Sequence, residues 1–295
     1  MNKNNRILVT GYKGQLGFDV VKELKNQSYQ NVLGIDKDDL DITDEKKVNE
    51  FIKEYHPSIV IHCAAYTSVD KAEIESETAF KVNSYATKYI AQACKEIDAT
   101  MMYISTDYVF DGKGDKFFEV DDKKNGLSVY GRSKSEGEEH VKKILDKFFI
   151  IRISWVFGIN GNNFVKTIIR LSESKNEKIT VVDDQIGSPT YTKDLSFLIS
   201  QMIKTDRYGI YHATNEGICS FYEFALEIMH MINGETEVVP IKSEEYRKLV
   251  LNQAERPLNS RLSKRSLIDN NFSLLPDWKD ALKRYIFEEL KYKEK

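Results

Sequence analysis

Cysteine is scarce in this chain. Cys63, Cys94 and Cys219 are scattered, odd in number and form no C-x-x-C pair, so neither a disulfide framework nor a zinc ribbon is expected. A reducing, cytoplasmic setting fits that usage. The five histidines, at 56, 62, 140, 212 and 230, never fall at a ligand spacing such as H-E-x-x-H, and no metal is expected. Long apolar runs are missing too: the most apolar stretches, Ser58 to Tyr66 and Phe148 to Ile153, are far shorter than the roughly 20 residues of a membrane-spanning helix. No membrane partner is expected. Nor is there an excess of positive charge. With 43 Lys and Arg against 46 Asp and Glu, the net charge of −3 offers no field to offset nucleic-acid phosphates, and no nucleic-acid partner is expected. The polar start runs straight into an apolar strand with no signal-peptide core, so export by that route is not expected. Internal repeats and Pro/Gly-rich linkers are also absent.

What is present is a chain of 295 residues, 41% hydrophobic, long enough for one large domain or two modest lobes. Its first half alternates two periodicities. Short β-branched runs at Arg6 to Thr10, Asn31 to Ile35, Ser58 to Cys63, Met101 to Ser105 and Phe148 to Ser154 suit parallel strands covered on both faces. Between them, Gln15 to Lys25, Asp44 to Tyr55, Glu77 to Ile97 and Tyr130 to Leu145 carry helical spacing. Strand–helix repetition of this kind predicts an α/β fold, a doubly wound Rossmann parallel sheet. A sixth strand is expected at Lys178 to Val182, with a helix from Lys193 to Ile203. The rhythm then breaks: Tyr208 to Thr214 and Glu237 to Ile241 read as strands, Ser220 to Ile232 and Trp278 to Tyr292 as helices. The expected organisation is a dinucleotide-binding domain over 1–155, to which 176–205 returns. A smaller α+β substrate lobe comprises 156–175 and 206–295.

The first strand ends in a G-x-x-G-x-x-G loop, Gly11, Gly14 and Gly17, that opens a helix. Glycines there allow tight turning and let backbone N–H groups approach a pyrophosphate, which the helix N-terminus also stabilises. Asp36, at the end of the second strand, is placed to accept the adenosine ribose hydroxyls. Its neighbour Lys37 favours a 2′-phosphate that Asp36 repels, so NADPH and NADH both stay open as the coenzyme. Asp41 and Ile42 are positioned to flank the adenine. Ala64, Ala65 and Tyr66 follow the third strand, and the two alanines are small enough for backbone to lie near the coenzyme.

Tyr130 and Lys134 are four apart in a predicted helix and project from one face. A phenol near its reference pKa of about 10 is a poor acid–base at neutral pH, and an adjacent ammonium is expected to lower it. In the common 3-2-1-4-5-6 strand order the first and fourth strands are neighbours, so the glycine loop and Tyr130 should meet in one crevice. The fourth strand ends there with Thr106, whose hydroxyl is expected to hydrogen-bond a substrate carbonyl that Tyr130 protonates. No G-x-S-x-G nucleophile elbow competes with this scheme.

Together these segments resemble the extended short-chain dehydrogenase/reductase family. The likeness rests on the glycine loop, A-A-Y-T-S-V-D-K-A-E at 64–73, S-T-D-Y-V-F at 105–110, Y-G-R-S-K at 130–134, Trp155, Asn162-Asn163-Phe164, D-Q-I-G-S-P-T at 184–190 and R-P-L-N-S at 256–260. It runs in register from residue 6 to about 285. Its nearest branch implies reduction of the C4 keto group of dTDP-4-dehydro-β-L-rhamnose to dTDP-β-L-rhamnose, with a nucleotide-sugar substrate and NADPH or NADH. By the same resemblance Gly14, Gln15, Leu16, Asp36, Asp41, Ile42, Ala64, Ala65 and Tyr66 line the coenzyme site. Tyr130 is the proton donor, and Lys134 holds the nicotinamide ribose. Thr106, Asp107, Tyr108 and Trp155 contact the sugar and nucleotide, the indole offering a stacking face. Arg256 is the candidate for the pyrophosphate, unless a neighbouring carboxylate claims its guanidinium. A homodimer is compatible with the family. The magnesium-bound dimer of some members needs acidic residues that are not evident around Gln15. Two alternatives share the scaffold: an epimerase or dehydratase, for which Tyr108 stands where a second acid is expected, and a non-catalytic regulatory subunit.

Overall fold

The computed structural model describes residues 2–174, 178–250 and 253–293. Its centre is a parallel sheet. Strands β1 (Arg6–Thr10), β2 (Asn31–Ile35), β3 (Ile59–His62), β4 (Thr100–Thr106) and β5 (Phe148–Ile153) are joined by Gly209–His212, in the order Gly209–His212, β5, β4, β3, β1, β2. These strands read as continuous apolar runs because both faces are covered. Along β1, Ile7 and Val9 face the layer holding Val20, Leu24 and Leu195, while Leu8 faces the layer holding Val48, Ile52 and Ile90. The helices start where short polar side chains satisfy free N–H groups. Asp44 accepts from the Lys47 N–H, Ser128 from that of Gly131 and Asn163 from that of Lys166.

Three expectations are corrected here. Only β2 lies beyond β1, so β1 borders β2 and β3, and β4 is one strand removed from it. The order of strand addition reverses between β1 and β3, not between the first and fourth strands. Second, Lys178–Val182 does not join the central sheet; it pairs in parallel with Glu237–Ile241 in the smaller lobe. The sixth place is taken by Gly209–His212, which pairs with Phe149 to Arg152. Both segments are short, and local sequence cannot name a partner. Third, the helix read as continuous over 77–97 contains a π-helical turn at Lys81–Tyr85, between Ser76–Phe80 and Ala86–Glu96. The smaller lobe packs helices Phe164–Glu173, Phe221–Ile232 and Trp278–Arg284 around an aromatic core of Phe157, Tyr191, Phe224, Trp278 and Tyr285. Among the described residues no helix is long and apolar enough to cross a membrane.

Candidate active site

A cleft of about 850 Å³ opens at the C-terminal ends of the strands, where the two lobes meet. It gathers Gly11, Gly14, Gln15, Leu16, Gly17, Asp36, Asp41, Ile42, Ala64, Ala65, Tyr66, Thr106, Asp107, Tyr108, Tyr130, Lys134 and Trp155 along one wall or another. Arg256 is not in the lining.

At one end the glycine loop turns from β1 into the helix Gln15–Asn26 (α1). Gly11 has φ +68°, and a Cβ there would stand 2.7 Å from the Ala64 Cα. A Cβ on Gly17 would meet the Gly11 carbonyl oxygen. Side chains at either place would collide with neighbouring backbone, so glycine is a geometric requirement. No side chain caps α1, whose first N–H groups therefore remain available to an anion. Asp36 accepts the backbone N–H of Lys13 at 3.1 Å and of Lys37 at 2.8 Å, while the Lys13 ammonium pairs with Asp38. Asp41 accepts both the N–H and the hydroxyl of Thr43, which hold its carboxyl below the usual range.

The smaller lobe closes onto this loop through amides the sequence reading left without a role. Asn160 donates to the Lys13 carbonyl at 2.6 Å, and Asn163 donates to the Gln15 side chain at 3.0 Å.

At the other end Tyr130, in the helix Val129–Ile144, lies edge-on to Tyr108 with ring centres 5.4 Å apart. Burial pushes its phenol up to about 12, against the opposing effect of a hydrogen bond with Thr106. The expected lowering by Lys134 is not found. The Lys134 ammonium is turned inward, donating to the Ile104 carbonyl at 2.6 Å and lying 4.0 Å from the Tyr103 ring centre. Burial lowers it to about 7, and Glu138, one turn along the helix, works the other way. Thr106 also differs from expectation, since its hydroxyl donates to Asp107 at 3.0 Å.

Arg256 grips Asp70 through both guanidinium nitrogens, at 2.9 and 3.0 Å. Asp70 lies in the first turn of the helix Val69–Ile74 on the dinucleotide-binding side, so the pair ties the lobes together and answers for the guanidinium intended for a pyrophosphate. Trp155 stacks on Phe221 of the smaller lobe at 3.8 Å and has φ +50°, a left-handed backbone that a non-glycine residue adopts under strain of about 1–3 kcal/mol. One face therefore packs while the indole still borders the cleft.

Three positioning groups carried no recognisable signal. Asn83, in the π-helical turn, accepts the Tyr66 N–H and donates to Ser133 and to the Tyr66 carbonyl, joining the loop after β3 to the Tyr130 helix. Its only trace is an amide in a helix interior, where such residues are disfavoured. Glu138 and Arg152 form a wholly buried fork, supported by Lys124 and Ser105.

The RmlD substrate binding domain family matches residues 5–291. Spore coat polysaccharide biosynthesis protein SpsK of Bacillus subtilis is 41% identical over 284 residues, covering 96% of this chain and 97% of that one. The dTDP-4-dehydrorhamnose reductase of Aggregatibacter actinomycetemcomitans is 40% identical over 291 residues, covering 94% and 97%. Among solved structures, dTDP-4-dehydrorhamnose reductase of Bacillus anthracis in complex with NADP superposes with a TM-score of 0.92 at 41% identity, covering 97% of this chain and 99% of that one.

Proposed function

The chain belongs to the RmlD substrate binding domain family, and from that premise we propose how its cleft reduces the C4 keto group of dTDP-4-dehydro-β-L-rhamnose to dTDP-β-L-rhamnose, the last step of dTDP-rhamnose biosynthesis. The observation that carries this reading is the convergence of Thr106, Tyr130 and Lys134 with the glycine loop on one cleft. The loop fits a dinucleotide, because its cradle exists only while residues 11 and 17 lack a Cβ and α1 presents uncapped N–H groups. A bound reduced nicotinamide, as NADPH or NADH, supplies the hydride.

The remaining work belongs to the chain. Tyr130, neutral at physiological pH, gives its proton to the ketone oxygen as that oxygen gains charge. Thr106 supplies a second donor to the same oxygen. Lys134 places a positive charge beneath the site and holds a ribose hydroxyl. Gly14, Gln15 and Leu16 receive the pyrophosphate, Asp36 the adenosine ribose, and Asp41 and Ile42 the adenine. Ala64, Ala65 and Tyr66 border the nicotinamide half. Tyr108 and Trp155 face the sugar nucleotide, and Arg256 reaches its pyrophosphate only by leaving Asp70.

Neither alternative on this scaffold gains support. Asp107 is engaged by Thr106 and Ser260, and Tyr108 replaces the second acid of a dehydratase. A regulatory subunit has no need of all three catalytic groups in one cleft. The three thiols are free, in keeping with the cytoplasmic setting proposed, and a homodimer is the proposed assembly, to be tested by light scattering. The deciding assay mixes the protein with the 4-keto-6-deoxy sugar nucleotide and each coenzyme and follows reduced nicotinamide absorbance. Stoichiometric oxidation is expected; a tightly held coenzyme that is never consumed would sink the reductase reading.

A further inference from the structure

Asp107 follows Thr106 at the end of β4, and the residue is only 3% exposed. One oxygen accepts the Thr106 hydroxyl at 3.0 Å. The other accepts the hydroxyl of Ser260, which reaches across from the short strand Asn259–Ser260. The other groups around it include the backbone N–H groups of Asp107 and Tyr108 and the phenols of Tyr108 and Tyr130, from the turn after β4 and from the helix Val129–Ile144. None of these neighbours is a cation. A buried carboxyl in that company has no counter-charge and is held by hydrogen bonds alone.

A threonine hydroxyl has one proton to give. While Asp107 is ionised, that proton goes to the carboxylate, and Thr106 presents only lone pairs to Tyr130 and to a ketone. Once Asp107 is protonated it becomes a donor itself, and the Thr106 proton is released toward the cleft. Charge acts in the same sense, because an anion at this place opposes negative charge growing on the ketone oxygen.

We propose that Asp107 is a positioning residue whose protonation frees the Thr106 hydroxyl to hydrogen-bond the C4 ketone oxygen beside Tyr130, and that Ser260 of the smaller lobe governs how readily Asp107 takes that proton. The proposal rests on the reductase reading and deepens it. It gives a role to Ser260, the last residue of the R-P-L-N-S segment. Burial raises the Asp107 pKa to about 6, with Ser260 and Thr106 opposing the rise. The switch therefore lies close to physiological pH.

The experiment follows turnover of the ketone substrate between about pH 5 and about pH 8 in the wild type, Asp107→Asn and Ser260→Ala. In the wild type turnover falls as pH rises, once as Asp107 ionises and again as Lys134 loses its proton. The first step is about a hundredfold, the usual loss on removing one donor to a developing oxyanion. Asp107→Asn cannot ionise, and its amide can donate to Thr106 while accepting from Ser260, so only the Lys134 step survives. Ser260→Ala deprives the anion of a donor and moves the first step to higher pH. A first step that persists in Asp107→Asn, or that moves to lower pH in Ser260→Ala, overturns the proposal. Should Asp107→Asn fail to fold, Ser260→Ala decides alone, read both by turnover and by the carbon-13 resonance of the aspartate carboxyl it perturbs. A wild type that oxidises no coenzyme at any pH overturns the reductase reading and this proposal together. Turnover with an unaltered profile in both variants overturns this proposal only.

Discussion

The ammonium of Lys134 donates to the Ile104 carbonyl at 2.6 Å, on the sheet side of the Tyr130 helix. Burial there lowers it to about 7, below the value of an unfolded lysine. Between about 7 and about 10 the unfolded chain therefore binds a proton that the folded chain does not, and the Lys134 contribution to stability rises with pH. Activity that needs the ammonium moves the other way, falling as pH rises through about 7. Thermal melts should show the wild type gaining on Lys134→Met from pH 7 upward, while wild-type turnover declines. Parallel melting curves across that range would refute the burial assignment.

Tyr130→Phe removes the proton donor but keeps the ring that packs against Tyr108. Turnover should drop by about two to four orders of magnitude, with coenzyme affinity nearly unchanged. Fluorescence titration with NADPH separates the two quantities, and a retained rate would remove Tyr130 from the chemistry.

Gly11→Ala places a methyl group 2.7 Å from the Ala64 Cα at a residue with φ +68°. Backbone strain and the clash together should cost about 1–3 kcal/mol of stability. Coenzyme binding should suffer as well, because the loop after β3 must move away. Urea unfolding with and without NADPH measures both, and the variant's stabilisation by coenzyme should shrink relative to the wild type.

Glu138 and Arg152 are both almost wholly buried, so removing one partner strands a charge. Glu138→Ala should lose about 3–5 kcal/mol in chemical denaturation. Burial alone would raise the Glu138 carboxyl, but the Arg152 fork, with Lys124 and Ser105, holds it near 2. Its depressed value means that its stabilising effect is complete above the unfolded value near 4.5 and is lost as pH falls from there toward 2. Acid unfolding of the wild type should be steeper in that window than that of Glu138→Ala.

Much of the fold was legible from β1 through β5. Buried parallel strands need apolar residues on both faces, and that leaves runs such as Ile7 to Val9 and Phe149 to Ile151 in plain view. The smaller lobe was harder to place. Lys178–Val182 and Gly209–His212 are both short strands, and which one completes the central sheet depends on partners far away in the chain. The same limit applied to the site. Spacing alone brings Tyr130 and Lys134 to one helix face, yet nothing in Y-x-x-x-K says that the ammonium will point inward to Ile104.

The order of residues determined by itself the run of strands β1 to β5 with helices between them, that the glycine loop opens a helix, and which side chains share the Tyr130 face. Those are consequences of backbone geometry within a few residues. Only the folded chain decided that Asp70 would take Arg256, that Ser260 would meet Asp107 across the lobes, and that Asn163 would fasten Gln15. Each joins residues separated by 148 to 186 positions, and a hydrogen bond reaches only about 3 Å. Proximity of that kind exists only after the lobes have packed.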